Sequence, residues 1–380
     1  MERPAARIIY TNSIVRKIVW LVLIVMLGGA GWFAWALFTP SEPSGQTFVM
    51  LRPGFSTRRI AAELKANGVI HSEDAFILWH YLHRRRSLKA GEYLFDKPRN
   101  ISEVHNRLVR GEVYFHTVIV PEGFTMFDIA RAIEAAGLGP AQDFLKIAQT
   151  DTSLIADIAP DAQSLEGYLF PETYQFSRMM TMEEMAAAMV KQFRMVARQI
   201  GLIDTPGVPE IGSSAPASSA PIEVEVNGKF VDPNKGPNEV ERAVIMASIV
   251  EKETAVAEER PLVASVYYNR LQKKIALDAD PSIIYAELLA GTYSGALHHD
   301  DMSFNSAYNT YTHAGLPPGP IGNPGKSALE AAMHPAQSDY YYFVADAQGH
   351  HRFAKTIEEH NKNVAAYRRA MRESGAAVGR

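Results

Sequence analysis

Asn238–Leu271 reads NEVERAVIMASIVEKETAVAEERPLVASVYYNRL, and the rest of the chain is organised around it. The pattern predicts two helices meeting at a bend near Pro261. Asn238 is placed to cap the first, with Glu241 three residues on as the capping-box partner. From Ala243 to Val250 every residue is apolar or small. A helix that is apolar all round is buried, so this one belongs in the middle of a domain. Glu251, Lys252 and Glu253 follow. At helical spacing Glu253 shares a face with Met246, Ile249, Val250, Val256 and Ala257, while Glu251 falls with Val244, Ala247, Ser248, Thr254 and Glu258 and so has polar company. Glu253 is then the lone carboxyl on an apolar stripe. Desolvation disfavours its charged form, and a carboxylic acid that stays protonated near neutral pH can act as a general acid. The plainer alternative is a glutamate at a helix end, half in water or paired with Arg260 or Lys252.

The 380 residues carry a net charge of −4, which argues against a nucleic-acid partner. No cysteine is present, which excludes disulfides, thiol catalysis and cysteine-ligated zinc. Nucleotide-binding glycine fingerprints, HExxH and GxSxG are absent. Ile18–Phe38 is a run without charge, long enough to span a hydrocarbon core. Arg3, Arg7, Arg16 and Lys17 precede it, and no Lys or Arg follows until Arg52. The positive-inside rule predicts a cytoplasmic tail (1–17) and places the remainder across the membrane. A cleaved leader is the competing reading, because Ala34-Trp35-Ala36 has the A-x-A form. The run is long for a leader, and a retained anchor is the preferred reading. Residues 39–46 then form a short tether.

A repeat comes next. Gly54, Phe55, Ile60, Ala61, Leu64 and Gly68 recur as Gly123, Phe124, Ile129, Ala130, Ile133 and Gly137, each 69 residues later. Each copy reads as strand, glycine turn and short amphipathic helix, opened by Ser56 or Thr125 and closed by glycine. Gly91–Phe95 reads as a strand between them, and Ile101–Arg110 as a helix capped by Ser102. Residues 47–140 are thus expected to form one small α+β region of two related units, with no evident catalytic group.

Chemistry concentrates in 141–380. Ser164–Tyr174 sets aromatics around Glu166, a composition that suits either a sugar site or an ordinary core. Residues 203–237, with GSSAPASSAP at the centre, read as a flexible surface insertion. Asp280-Pro281 suits a turn into a helix. Tyr308–Gly325, YNTYTHAGLPPGPIGNPG, is too rich in Gly and Pro for regular structure and reads as a rigid polar wall or an ornamented turn. Tyr340–Ala345 reads as a buried strand and Ile357–Met371 as a closing helix. His298-His299-Asp300-Asp301 suggests a metal, but adjacent residues seldom converge on one ion, so no metal site is assigned.

In this order LEGYLFPETY, MASIVEKETAVAEE, the DPS turn, YNTYTHAGLPPGPIGNPG, AAMHPA and YYFVAD resemble the MltG (YceG-like) family of endolytic murein transglycosylases. The resemblance covers about 45–370. It implies an α+β protein with one transmembrane helix, a LysM-like region over 47–140 and a mixed α/β catalytic domain. It also implies an inner (plasma) membrane location with an extracytoplasmic catalytic part. Glycan strands of peptidoglycan are the implied substrate and peptidoglycan synthases the candidate partners, with no cofactor. The family's essential glutamate, the second in E-K-E-T, falls on Glu253. Tyr308, Asn309, Tyr311 and Asn323 are assigned to the substrate cleft, and Glu166 to holding substrate or bracing the site. The implied reaction cleaves the MurNAc-β-1,4-GlcNAc bond, leaves 1,6-anhydro ends and so terminates strand growth. Two departures stand out: the 203–237 insertion, and Leu277-Asp278 where the family has Leu-Gln before the DPS turn. A non-catalytic glycan-binding scaffold and a two-carboxylate muramidase are the alternative functions.

Overall fold

In a computed structural model the chain is a mixed helix-and-sheet protein, with residues 6–43, 45–83, 86–204, 224–226, 229–231 and 238–378 described. It divides into two compact units, Met1–His116 with Ser177–Met179, and Thr117–Phe176 with Met180–Arg380.

The first unit opens with α1 (Ala6–Phe38), whose Val15–Phe38 portion is long and apolar enough to cross a membrane. β1 (Thr47–Leu51) pairs antiparallel with β2 (Gly91–Phe95), Val49 opposite Tyr93. α2 (Thr57–Ala66), α3 (Glu73–Leu82) and α4 (Ile101–Arg110) complete it. Leu51, Leu64, Phe76, Tyr93, Phe95 and Leu108 are the centre of its core, and Ala36 and Leu37 from the end of α1 join them. The segment 39–46 is not a free tether. Ser41 is 6% exposed, exchanges backbone hydrogen bonds with Arg99 (2.9 and 3.2 Å) and donates from its hydroxyl to the Gly68 carbonyl at 2.6 Å. The cap of α4 is Asn100, in a capping box with Glu103, rather than Ser102, which lies one residue inside the helix.

The second unit begins with β3 (His116–Ile119), paired with β4 (Thr173–Phe176). It continues with α5 (Met126–Ala135), α6 (Ala141–Thr150) and α7 (Met182–Gln199). The contacts therefore divide the chain at 116/117, whereas the repeat placed the boundary at 140. The reason is the core: Val118, Ile129 and Ile133 are buried with Val244, Met246 and Val250. Most of the expected flexible insertion, 205–223, 227–228 and 232–237, lies outside the described residues. Val224–Val226 (β5) and Lys229–Val231 (β6) pair antiparallel.

α8 (Glu239–Glu253) is the predicted central helix, and Asn238 and Glu241 form the capping box. Ala243 to Val250 are all buried. Each large apolar side chain so buried contributes about 1.5–3 kcal/mol. α8 stops at Glu253, because Thr254 is extended and its hydroxyl accepts from the Val256 amide at 3.0 Å. A 3₁₀ turn, Ala257–Glu259, then leads into α9 (Arg260–Lys273), with Pro261 in its first turn, where a missing N–H leaves no bond unmade. α10 (Asp280–Ala290), α11 (Lys326–Met333), the hairpin β7 (Tyr342–Ala345) with β8 (His351–Ala354), and α12 (Ile357–Val378) complete the chain. β7 is only half-buried along its length, not a buried strand.

Candidate active site

The end of α8 sends its two glutamates into different environments. Glu251 accepts from Arg260 at 2.6 Å and from the Gly325 amide at 2.9 Å. Arg260 also reaches Ser327 and, at 3.3 Å, Glu122. The side chains of Glu251 and Arg260 are 5% and 7% exposed. Burial pushes the Glu251 carboxyl up, while the Gly325 amide and Arg260 draw it back down. Its oxygens are committed to this ion-pair cluster. The cluster also explains Gly325, where a Cβ would lie 1.8 Å from a Glu122 oxygen.

Among the described residues Glu253 has no cation as a partner. It accepts one hydrogen bond, from the Tyr267 hydroxyl at 2.8 Å. Part of its surface stays open to solvent, though protein surrounds it closely. Burial pushes its carboxyl up to about 7, opposed by the Tyr267 bond and assisted by the negative charge of Asp280. It is also the last residue of α8, where the negative end of the helix dipole disfavours a carboxylate. Val256 and Ala257, expected on the same helical face, lie beyond the helix end. Of the two glutamates, Glu253 is the one raised to about 7 with a tyrosine rather than an arginine as its partner.

The Tyr308–Gly325 loop is bonded to the start of α10. Tyr311 is 37% exposed, and its hydroxyl donates to Asp280 at 2.5 Å. Thr310 fastens the loop to the start of α10: its hydroxyl accepts from the Ala279 amide at 3.0 Å and lies 2.9 Å from that of Ser282. Asp278, at the departure from the family pattern, has a left-handed φ of 52° and pairs with Arg270 at 2.9 Å. Its side chain is thereby occupied.

Three expected contact residues are internal instead. Asn309 is 0% exposed and donates to the carbonyls of Met302 (3.1 Å) and Phe304 (2.8 Å). Asn323 is 0% exposed, donates to Glu166 at 2.7 Å and to Phe124 at 2.9 Å, and accepts from the Leu169 amide at 2.9 Å. Glu166 is 1% exposed and accepts from the Met126 amide at the start of α5 (2.9 and 3.1 Å). Burial raises its carboxyl to about 8, against the pull of the Met126 amide and of Tyr285. Substrate cannot touch these three without displacing their bonds. Tyr308 is half-buried, packed on Tyr285 with ring centroids 5.1 Å apart; burial first, and then the charge of Glu166, raise its hydroxyl to about 12. Tyr311 and Glu253 come together; Glu166, Asn323 and Tyr308 form a separate, interior group.

His298 and Asp301 serve the short turn His299–Ser303, where the Asp301 carboxylate accepts from the His298 amide at 2.6 Å. Among the described residues no three His, Asp or Glu side chains converge as metal ligands. The sequence reading missed Tyr267, Asp280 and Glu122. Asp280 carried a usable signal, an acidic residue next to a helix-starting proline. Tyr267 and Glu122 carried none, since their partners are 14 and more than 100 residues away.

The chain matches the YceG-like family over residues 49–366. It belongs to that family. A relative from Bacillus subtilis, named endolytic murein transglycosylase, is 32% identical, over 90% of this chain and 91% of the relative. One of the same name from Streptococcus pneumoniae is 28% identical over 91% of this chain, which spans 64% of that longer protein. A solved yceG-like protein of Listeria monocytogenes is 29% identical over 85% of this chain, with a TM-score of 0.49.

Proposed function

We infer that this YceG-like chain is a peptidoglycan lytic transglycosylase, a lyase of cell-wall glycan, with Glu253 as its catalytic acid. The observation that carries the reading is the environment of Glu253: a carboxyl at a helix C-terminus, raised to about 7, with a tyrosine and no cation as partner among the described residues. The names of the relatives give the substrate class.

Glu253 donates its proton to the O4 leaving group of GlcNAc as the bond to C1 of MurNAc breaks. The resulting carboxylate takes the proton of the MurNAc C6 hydroxyl, whose oxygen closes on C1. The product end is 1,6-anhydroMurNAc, no water is consumed, and Glu253 is again protonated. A group whose proton affinity lies near the working pH serves both steps. Tyr267 orients the carboxyl, Tyr311 lines the approach, and Glu166, Asn309 and Asn323 brace the loops from inside. The cut is endolytic on nascent strands and ends their elongation. α1 anchors the chain in the plasma membrane, with its basic N-terminal end cytoplasmic and the 47–140 region, LysM-like, outside.

Mass spectrometry of purified glycan strands incubated with the full chain in detergent, beside Glu253→Gln, tests this. Wild type should release anhydromuramyl ends, and the variant should lose roughly 10²-fold or more, the usual worth of a positioned proton donor. Reducing ends would establish a hydrolase. Bound but uncut strands would establish a scaffold.

A further inference from the structure

The helices of the first unit differ in what they show to solvent. α2 exposes Arg58, Arg59 and Lys65, and α4 exposes Glu103 and Arg110. Beyond Asp74, α3 carries no Asp, Glu, Lys or Arg. Its Ala75 and Phe76 are buried in the core. On its other side Leu78, Tyr81 and Leu82, at i, i+3 and i+4, form one apolar ridge, 45%, 63% and 62% exposed. A helix facing water normally carries polar residues there, and a contiguous exposed apolar ridge signals a partner. α3 begins beside the end of α1. The His71 ring, next to the α3 cap Ser72, stacks on Trp35 with centroids 5.7 Å apart, and its Nε2 lies 3.0 Å from the Pro40 carbonyl oxygen. α1 packs against both α3 and α4. A helix of ten residues spans about 15 Å, so the whole ridge lies within one short helix of the exit of the apolar run. Trp32, Trp35 and Phe38 are exposed at that exit, the ring composition of a membrane–water boundary. The junction is tight: Ala36 and Leu37 belong to the core of the unit, and Ser41 is bonded to Arg99 and Gly68. After α3 the sequence continues with Arg84, Arg85 and Arg86, cations suited to anionic headgroups.

We propose that the ridge of Leu78, Tyr81 and Leu82 is a lipid-docking surface, seated in the headgroup zone of the membrane that α1 crosses, on the leaflet at the C-terminal end of α1. The proposal rests on the reading of α1 as the anchor. Whichever way α1 runs, its last turn carries α3 to the same surface, because both are built into one core. A tyrosine suits that depth, with an apolar ring and a hydroxyl that stays wet. α1 supplies the insertion, so the ridge has only to fix the tilt of the unit. The first unit then rests on the bilayer through two elements and does not swing on its anchor.

The chain has no cysteine, so a single introduced thiol reports its own position. Leu78→Cys and Leu82→Cys on the ridge, Leu23→Cys in the apolar run of α1 and Arg58→Cys on α2 are each made in the full chain. Each is labelled with an environment-sensitive fluorophore and reconstituted into vesicles of phosphatidylethanolamine and phosphatidylglycerol, with and without brominated acyl chains. Brominated chains should quench the labels at 78 and 82 at least about twofold more than the label at 58, as fits a face sunk roughly 5–10 Å into the headgroup–acyl boundary. The label at 23 should be quenched most. Quenching at 78 and 82 no stronger than at 58, with 23 still quenched, overturns the proposal. Labels at 78 and 82 that escape the brominated chains but quench one another as the protein-to-lipid ratio rises place a second copy on the ridge, and overturn it equally. Failure of the anchor reading looks different: the label at 23 would itself go unquenched, and the docking surface would fall with it. Two ridge positions are used so that a label that disturbs its own site does not decide the result.

Discussion

Gly54 and Gly123 hold the same place in the two copies of the repeat, yet their surroundings differ. Both have a left-handed backbone, with φ of 82° and 76°. A Cβ on Gly54 would meet nothing within 4 Å, whereas one on Gly123 would meet Lys252 at 3.4 Å and Glu251 at 3.5 Å. The residue before each glycine differs to match: Pro53 in the first copy, and Glu122, bonded to Arg260, in the second. At the first turn of the helix Met126 gives its amide to Glu166. The second copy also holds the Gly-Pro loop, since the Gly123 amide donates to the Asn323 carbonyl and the Asn323 amide to that of Phe124, each at 2.8 Å. One local design thus folds two cores, and only the second copy has been built into the supports of Glu253. Repetition of sequence specifies the local turn and helix, while the flanking charges decide what that turn is attached to.

The largest expected contrast comes from the charges. Arg260→Leu strands Glu251 and Glu122 and should destabilise the second unit by about 3–5 kcal/mol, as loss of one partner of a buried pair does. Arg59→Leu, which removes the exposed Arg59–Glu63 pair of the first copy, should cost under about 0.5 kcal/mol. Denaturant midpoints for the two units check both, and equal losses would break the comparison.

Next in size is an opposite response to pH. Glu166, raised to about 8 in the fold, ionises first in the unfolded chain. The stability it contributes is full below about pH 4.5 and is lost as pH rises towards 8. In the first unit burial, then His80 and His83, lower His105 to about 4, so its contribution is full above 6.5 and is lost as pH falls towards 4. Thermal unfolding across this range should show the second unit weakening in base and the first in acid. Glu166→Gln should flatten the alkaline slope alone.

Gly54→Ala and Gly123→Ala should each cost about 1 kcal/mol from the positive φ. Only the second should also slow turnover, because the strained turn carries the carbonyl that Lys252 bonds at 3.2 Å, next to Glu253 in the chain. The smallest difference is expected at the caps. Ser56→Ala loses a helix-capping bond, at about 1 kcal/mol, and Thr125→Ala loses the same bond together with its hydroxyl's bond to the Asp128 carboxylate at 2.7 Å, so the second should cost more by about 0.5 kcal/mol.

The central helix and its cap were legible because an unbroken apolar run between Asn238 and Glu251 has few other uses in a soluble domain. The desolvation of Glu253 was legible because it shares a helical face with Met246, Ile249 and Val250, all in the core. The roles of Asn309, Asn323 and Glu166 were not, because a polar side chain in a Gly- and Pro-rich segment reads alike whether it bonds backbone or faces a cleft. Here the loops have no regular ladder, and their own side chains satisfy the buried amides and carbonyls instead. The division at 116/117 was hidden by the repeat itself, since likeness between two segments says nothing about which core each one joins.

The end of α1 answers two demands at once. Ala36 and Leu37 close a run suited to lipid, and they are also 0% and 2% exposed within the core of the first unit. A leader peptidase cutting after Ala36 would therefore act inside a folded module, removing one core side chain and leaving the next as a charged terminus. The same holds for any soluble version begun at Thr39, which would open an apolar socket and invite aggregation. A truncation meant to keep the module intact has to start upstream of Phe33, with the outward-facing Trp32 and Trp35 replaced by polar residues.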